Sequence, residues 1–158
     1  MLKKSKIKYN IFMKKYYSYE NFRGDTKKLI GKVKAFEAEA IIAIARGGYT
    51  LSHAMAEGLN IRDVQSIRTE LYDKECKRET LSLFGSCDIG VKKVLVVDDI
   101  ADSGETLAYI MEYLEQNFPA VTFKSVTLFY KKTSIYEPDF WVNEADAWIE
   151  FFWEKDFL

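Results

Sequence analysis

Hydrophobic and polar positions along the chain fall into two periods. Residues 27–36 carry Leu29, Val33 and Phe36 at helical spacing, with Asp25-Thr26 ahead of them as a cap, which predicts a helix. Within residues 39–45, Ala40-Ile41-Ile42-Ala43-Ile44 is an unbroken apolar run ended by Arg46-Gly47-Gly48, as expected of a strand buried on both faces. Residues 50–59 return to the helical period through Leu51, Ala54, Met55 and Leu59, and Gly58-Leu59-Asn60 closes that helix. Residues 64–71 and 78–84 read as strands joined by the charged segment 72–77. Val94-Leu95-Val96-Val97 is another buried strand, followed by a helical pattern through Leu107, Ala108, Ile110, Met111 and Leu114. Residues 123–130 supply one more strand, and Trp141-Val142 begin a short one. Strands alternating with helices predict an α/β fold, a mainly parallel twisted sheet with right-handed crossovers and flanking helices.

Two loops that follow apolar strands carry most of the chemistry. In an open parallel sheet ligands sit beyond the carboxyl ends of the strands, so both loops are expected to face one crevice. In Arg46-Gly47-Gly48, glycines let successive N–H groups approach an anion, and the guanidinium adds fixed positive charge. Taken alone, the triplet reads as an ordinary strand-to-helix turn with a surface arginine, since Gly-Gly turns are common. The second loop, Asp98-Asp99-Ile100-Ala101-Asp102-Ser103-Gly104-Glu105-Thr106, places two carboxylates where a strand ends and a Ser/Gly/Thr turn where a helix begins. Free N–H groups and the positive end of a helix dipole hold phosphate, while paired carboxylates hold a ribose diol or Mg²⁺. Turn-forming aspartates and a helix cap would explain Asp102 or Ser103 singly. They do not explain an acidic pair, a third acid, Gly and Thr in that order, so a phosphorylated sugar is the fitting ligand.

Composition narrows the classes. The chain has 158 residues, 48% of them hydrophobic, enough for a real core, and shows no repeat, low-complexity tract or linker. We therefore expect one domain over 1–158, with residues 1–15 as a basic, solvated tail. A formal charge of −1 argues against a nucleic-acid partner. Cys76, Cys87 and the single His53 lack metal-ligand spacing, which argues against structural zinc and fits reduced thiols in a cytoplasm. No stretch is long and apolar enough for a signal-peptide core or an integral membrane segment.

The string Val-Val-Asp-Asp-Ile-Ala-Asp-Ser-Gly-Glu-Thr (residues 96–106) resembles the phosphoribosyl-pyrophosphate (PRPP) signature of type I phosphoribosyltransferases. Ile-Ile-Ala-Ile-Ala-Arg-Gly-Gly-Tyr, Ser-Ile-Arg-Thr-Glu-Leu-Tyr-Asp, Thr-Leu-Phe-Tyr-Lys and Ala-Trp-Ile-Glu-Phe-Phe-Trp-Glu follow in the order and spacing of the bacterial xanthine-guanine members. The likeness covers residues 16–154. It implies the type I phosphoribosyltransferase fold with a small C-terminal hood, residues 132–158, that recognises the base. It further implies purine salvage in the cytoplasm: an Mg²⁺-dependent glycosyltransferase moving phosphoribose from PRPP to N9 of guanine, xanthine or hypoxanthine, in a homodimer or homotetramer.

Carried over position by position, the resemblance gives Arg46 and Gly47 to the pyrophosphate loop. Asp98 and Asp99 become the ribose and Mg²⁺ carboxylates, with Asp99 the leading metal ligand, and Asp102 the general base at the purine imidazole. Ser103, Gly104, Glu105 and Thr106 hold the 5′-phosphate. Lys131 donates to the purine 6-oxo group, Trp148 stacks on the base, Ile149 offers backbone contacts, and Arg78 belongs to a mobile loop over PRPP. Physics supports several of these roles, since an ammonium has no acceptor and so discriminates a 6-oxo from a 6-amino purine. An indole face is worth about 1–3 kcal/mol per stacked base. Without the motif context, Lys131 reads as a surface lysine, Arg78 as a solvated charge, and the aromatics Trp141, Trp148, Phe151, Phe152 and Trp153 as core or dimer interface. Phe152 stands where relatives often have proline, and Glu154 where they often have aspartate.

Two other classes compete with the enzyme. One is a non-catalytic PRPP or nucleotide sensor of the same fold, against which Asp102 and Lys131 speak. The other is a phospho-receiver domain, in which the acidic strand normally stands first rather than after more than ninety residues.

Overall fold

The structure, a computed structural model, describes residues 13–72, 80–84 and 87–158, with residues 70–72 and 80–84 described by backbone alone. Arg78, Cys76 and the tail through residue 12 lie outside the described residues.

Five strands form the main sheet: β2 (Ala40–Ile44), β3 (Asp63–Tyr72), β4 (Thr80–Phe84), β5 (Lys93–Val97) and β7 (Thr122–Val126), in the order β4-β3-β2-β5-β7. All pairs are parallel except β3 with β4, which is antiparallel at the edge. The predicted α/β class is thus the observed one. The chain enters at β2, moves outward to β3 and β4, then returns to β5 on the other side of β2. That reversal opens a crevice beyond the carboxyl ends of β2 and β5.

The unbroken apolar runs follow from two-sided burial. Ile41, Leu95 and Val97 pack beneath α1 (Tyr19–Val33) and α2 (Gly48–Leu59), against Leu29, Val33, Leu51 and Met55. The alternating residues Ala40, Ile42, Ile44, Val94 and Val96 face α3 (Glu105–Asn117) through Leu107, Ile110, Met111 and Leu114. Each fully buried Leu or Ile contributes about 1.5–3 kcal/mol. α2 closes as expected, with Asn60 in the left-handed region at φ 55° and its N–H donating to the Ala56 and Glu57 carbonyls.

Four expectations are corrected. Asp25-Thr26 does not cap α1; the helix begins at Tyr19, and Ser18 caps it by accepting from the Asn21 N–H at 3.2 Å. Phe22, Asp25, Thr26, Leu29 and Val33 form its buried stripe, so two polar residues that look like a cap belong to the helix interior. The tail reading fails at its inner end: β1 (Lys14–Tyr17) pairs in parallel with β10 (Trp148–Phe151). The strand expected over 123–130 is two strands, because β7 stops at Val126 and β8 (Phe129–Tyr130) joins β6 (Ile100–Ala101) and β9 (Asn143–Glu144). Residues 126–129 are all buried, so hydropathy does not mark the break. The short strand expected to begin at Trp141-Val142 instead occupies Asn143–Glu144. α4 (Phe152–Lys155) ends the helical elements. Among the described residues no helix is long and apolar enough to cross a membrane.

Candidate active site

The turn after β2 meets the end of β5. The peptide between Ala45 and Arg46 is cis, and the Gly47 α-carbon lies so near Asp99 that a Cβ there would stand 2.7 Å from Asp99 Cγ and 2.8 Å from Oδ1. Glycine is therefore required by close approach; its own φ of −54° suits any residue. The Asp98 side chain accepts from the Asp99 N–H at 2.8 Å. The Asp99 carbonyl accepts from Leu128 N (3.0 Å) and Phe129 N (3.1 Å), which ties the acidic pair to the segment leaving the sheet.

Two carboxyls held this close resist ionisation. Burial, then the charge of Asp99, pushes Asp98 well above the ordinary carboxylate range. Burial, then the charge of Glu154, raises Asp99 to about 6, against hydrogen bonds that favour its ionised form. An all-oxygen pair disfavoured as a double anion fits a hard divalent cation such as Mg²⁺, which relieves the repulsion. Among the described residues no group of three or more His, Cys, Asp or Glu side chains is arranged as a metal site. The donor set thus suits a cation shared between one or two carboxylates and the oxygens of a substrate.

The second turn runs from Asp102 into α3. Ser103 Oγ accepts from the Glu105 N–H at 3.3 Å, and Gly104 adopts φ 81° at the helix entrance. The Ser103 carbonyl accepts from Ile135 N at 2.9 Å, so the turn is braced by residues 134–136. A cavity of about 700 Å³ is walled by Arg46 and Gly47 from the first turn, Asp98 and Asp99 between, and Thr106 from the second. An adjoining cavity of about 430 Å³ is lined by Asp99, Asp102, Lys131, Trp148, Ile149 and Glu154. Lys131 Nζ lies 3.2 Å from Asp102 Oδ1, both side chains about half exposed. Trp148 is 63% exposed, an indole face open to a planar ligand, whereas Ile149 is buried.

Of the expected residues, Arg46, Gly47, Asp98, Asp99, Asp102, Thr106, Lys131, Trp148 and Ile149 line one or both cavities, Ser103, Gly104 and Glu105 line neither, and Arg78 lies outside the described residues. Sequence reasoning missed that Glu154 borders both cavities and that Asp146 and Phe151 line the smaller one. Phe151 and Glu154 belong to the string at residues 147–154 that carries the resemblance, whereas no periodicity or motif marks Asp146.

Residues 17–156 match the family model described as "Phosphoribosyl transferase domain". A xanthine-guanine phosphoribosyltransferase of Idiomarina loihiensis is 30% identical over 146 residues, 88% of this chain and 86% of that one. Among solved structures, a xanthine-guanine-hypoxanthine phosphoribosyltransferase of Helicobacter pylori superposes with TM-score 0.85 at 33% identity, covering 92% of this chain and 96% of that one. A purine phosphoribosyltransferase of Pyrococcus horikoshii gives TM-score 0.81 at 26% identity, over 90% of this chain and 94% of that one. The parallel sheet, its two flanking helical layers and the crevice at the strand reversal are those of the type I phosphoribosyltransferase fold. Matched over most of its length, the chain belongs to the phosphoribosyl transferase domain family, as a homologue of the xanthine-guanine phosphoribosyltransferases.

Proposed function

We propose that this protein transfers the 5-phosphoribosyl group of PRPP to N9 of a 6-oxopurine (guanine, xanthine or hypoxanthine), giving the nucleoside 5′-monophosphate and pyrophosphate. The observation that carries this reading is the junction of two cavities at Asp99 and Glu154. The larger has an anion-binding turn on either side of the acidic pair; the smaller offers Lys131, Asp102 and Trp148. On this reading a doubly phosphorylated pentose occupies the first, with C1′ at the junction and a flat base in the second.

Arg46 and the N–H groups after it hold the pyrophosphate end of PRPP, and the turn 103–106 holds the 5′-phosphate at the start of α3. Asp98 and Asp99 accept the ribose hydroxyls. When bound there, Mg²⁺ supplies charge neutralisation to the pyrophosphate oxygens. As the C1′–O bond breaks, its electron pair leaves with pyrophosphate, and positive charge is shared between C1′ and the ring oxygen. The N9 lone pair forms the new bond to C1′ while Asp102 accepts the proton on N7. Lys131 donates to the 6-oxo group, and Trp148 stacks on the base.

Purified protein with MgCl₂, PRPP and each of guanine, xanthine, hypoxanthine and adenine tests this, with pyrophosphate release monitored. Release with at least one 6-oxopurine and none with adenine is expected. PRPP binding without release from any purine would instead support a non-catalytic sensor.

A further inference from the structure

We infer that Asp25, on the helix behind the site, is a positioning residue that sets the separation between the two walls of the smaller, base-binding cavity. The inference rests on the phosphoribosyl-transfer reading above and names a residue remote from both cavities. Asp25 is a buried carboxylate in α1. It accepts from the Tyr17 hydroxyl at 2.8 Å, the Asn143 side-chain amide at 2.8 Å and Lys28 Nζ at 3.0 Å.

Its first two donors lead to two different segments that line this cavity. Tyr17 ends β1, whose register sets Tyr17 beside Phe151, Lys15 beside Ile149 and Lys14 beside Trp148. Trp148 N also donates to the Met13 carbonyl at 3.0 Å, so β1 carries the stacking wall. Asn143 opens β9, paired with β8 directly before Lys131. Asn143 N donates to the Leu128 carbonyl and Ala145 N to that of Tyr130, so β9 braces the wall of Lys131 and Asp102.

One carboxylate thus links the strand that supports Trp148 to the strand that braces Lys131. Tyr17 adds edge contacts to Phe129 (ring centroids 4.9 Å) on one side and Phe151 (5.7 Å) on the other. A buried charge is costly once a partner is lost, and a fully satisfied buried network stiffens the elements it joins. Burial raises the Asp25 carboxyl, yet Asn143, Lys28 and Tyr17 outweigh burial and leave it below the ordinary value. Burial and then Asp25 itself raise the Tyr17 hydroxyl, which stays protonated as a donor.

The test is steady-state kinetics of wild type, Asp25→Asn, Tyr17→Phe and the exchange Asp25→Asn/Asn143→Asp, with PRPP and purine varied separately. Either single variant is expected to raise KM for the 6-oxopurine about tenfold, the effect of one charged hydrogen bond, with KM for PRPP within about twofold. The exchange restores a donor–carboxylate pair and is expected to recover most of the loss. Unchanged purine KM, or purine and PRPP KM rising in equal proportion, overturns the inference and leaves the functional reading standing. A wild type without turnover overturns both. Tyr17→Phe keeps the ring packing, so it carries the same comparison if Asp25→Asn does not fold.

Discussion

Gly47 stands directly against the carboxylate of Asp99, its missing Cβ only 2.7 Å from where Asp99 Cγ lies. Because Gly47 has ordinary helical dihedrals, φ −54° and ψ −37°, alanine meets no backbone penalty there. The three nearest atoms that a Cβ would meet all belong to the Asp99 carboxylate. Gly47→Ala is expected to lower kcat/KM for PRPP by at least about tenfold through displacement of the carboxylate, with melting temperature within a few degrees of wild type. Equal kcat/KM would contradict the contact.

Lys131 and Asp102 form a half-exposed pair at 3.2 Å, worth about 0–1 kcal/mol to folding, so either can be changed without unfolding the protein. Asp102→Ala is expected to cut kcat by roughly 10²–10⁴ with little change in KM for PRPP. Lys131→Met removes the donor, and should raise KM for the 6-oxopurine and narrow the preference over adenine. Single-turnover and steady-state rates separate the two effects; unaltered turnover in Asp102→Ala would remove it as the base.

The acidic pair is expected to trade stability for function. Burial and the neighbouring Asp99 raise Asp98 above its unfolded value, so its neutral form is the one the fold favours. The resulting stabilisation is present below the unfolded pKa and is lost as pH rises through the folded pKa. For Asp99, raised to about 6, that window runs from about pH 4 to pH 6. Asp98→Asn keeps the oxygen that accepts from the Asp99 N–H but cannot ionise. It should be more stable than wild type at pH 8 by about 1–2 kcal/mol, with the gap closing toward pH 5. Urea denaturation at both pH values checks this; a gap independent of pH would contradict it.

Gly104 is held at φ 81°, and a Cβ would fall against Ser134 Oγ and 2.8 Å from Tyr136 N. Gly104→Ala meets both the left-handed penalty and this contact, so a loss of about 1–3 kcal/mol is expected. The shifted turn should also weaken PRPP binding, which calorimetric titration would read. A melting temperature equal to wild type would show that the turn relaxes freely.

Most of the main sheet was legible because its signals are local. Ile41 and Leu95 face one helical layer and Ile42 and Val96 the other, so two-sided burial writes itself as an unbroken apolar run. Both turns ahead of α2 and α3 were legible because glycine, serine and threonine stand within a few residues of each helix start, a local signal. The start of α1 was misread because Asp25 and Thr26 are polar residues in a buried stripe, and pattern cannot distinguish an internal acceptor from a cap. The break after Val126 was hidden because Thr127 and Leu128 are as buried as the strand they leave.

Local pattern was enough for the α/β class, the two glycine-bearing turns that follow β2 and β5, and the order in which acid, glycine and lysine appear along the chain. Each depends on dihedrals and burial set by near neighbours. Tertiary structure alone decided that β1 supports Trp148, that Glu154 borders both cavities, and that Asp25 joins Tyr17 to Asn143. Asn143 lies 118 positions from Asp25. A contact across that separation leaves no spacing to read, because its geometry is set by how sheets and helices stack rather than by the period of either.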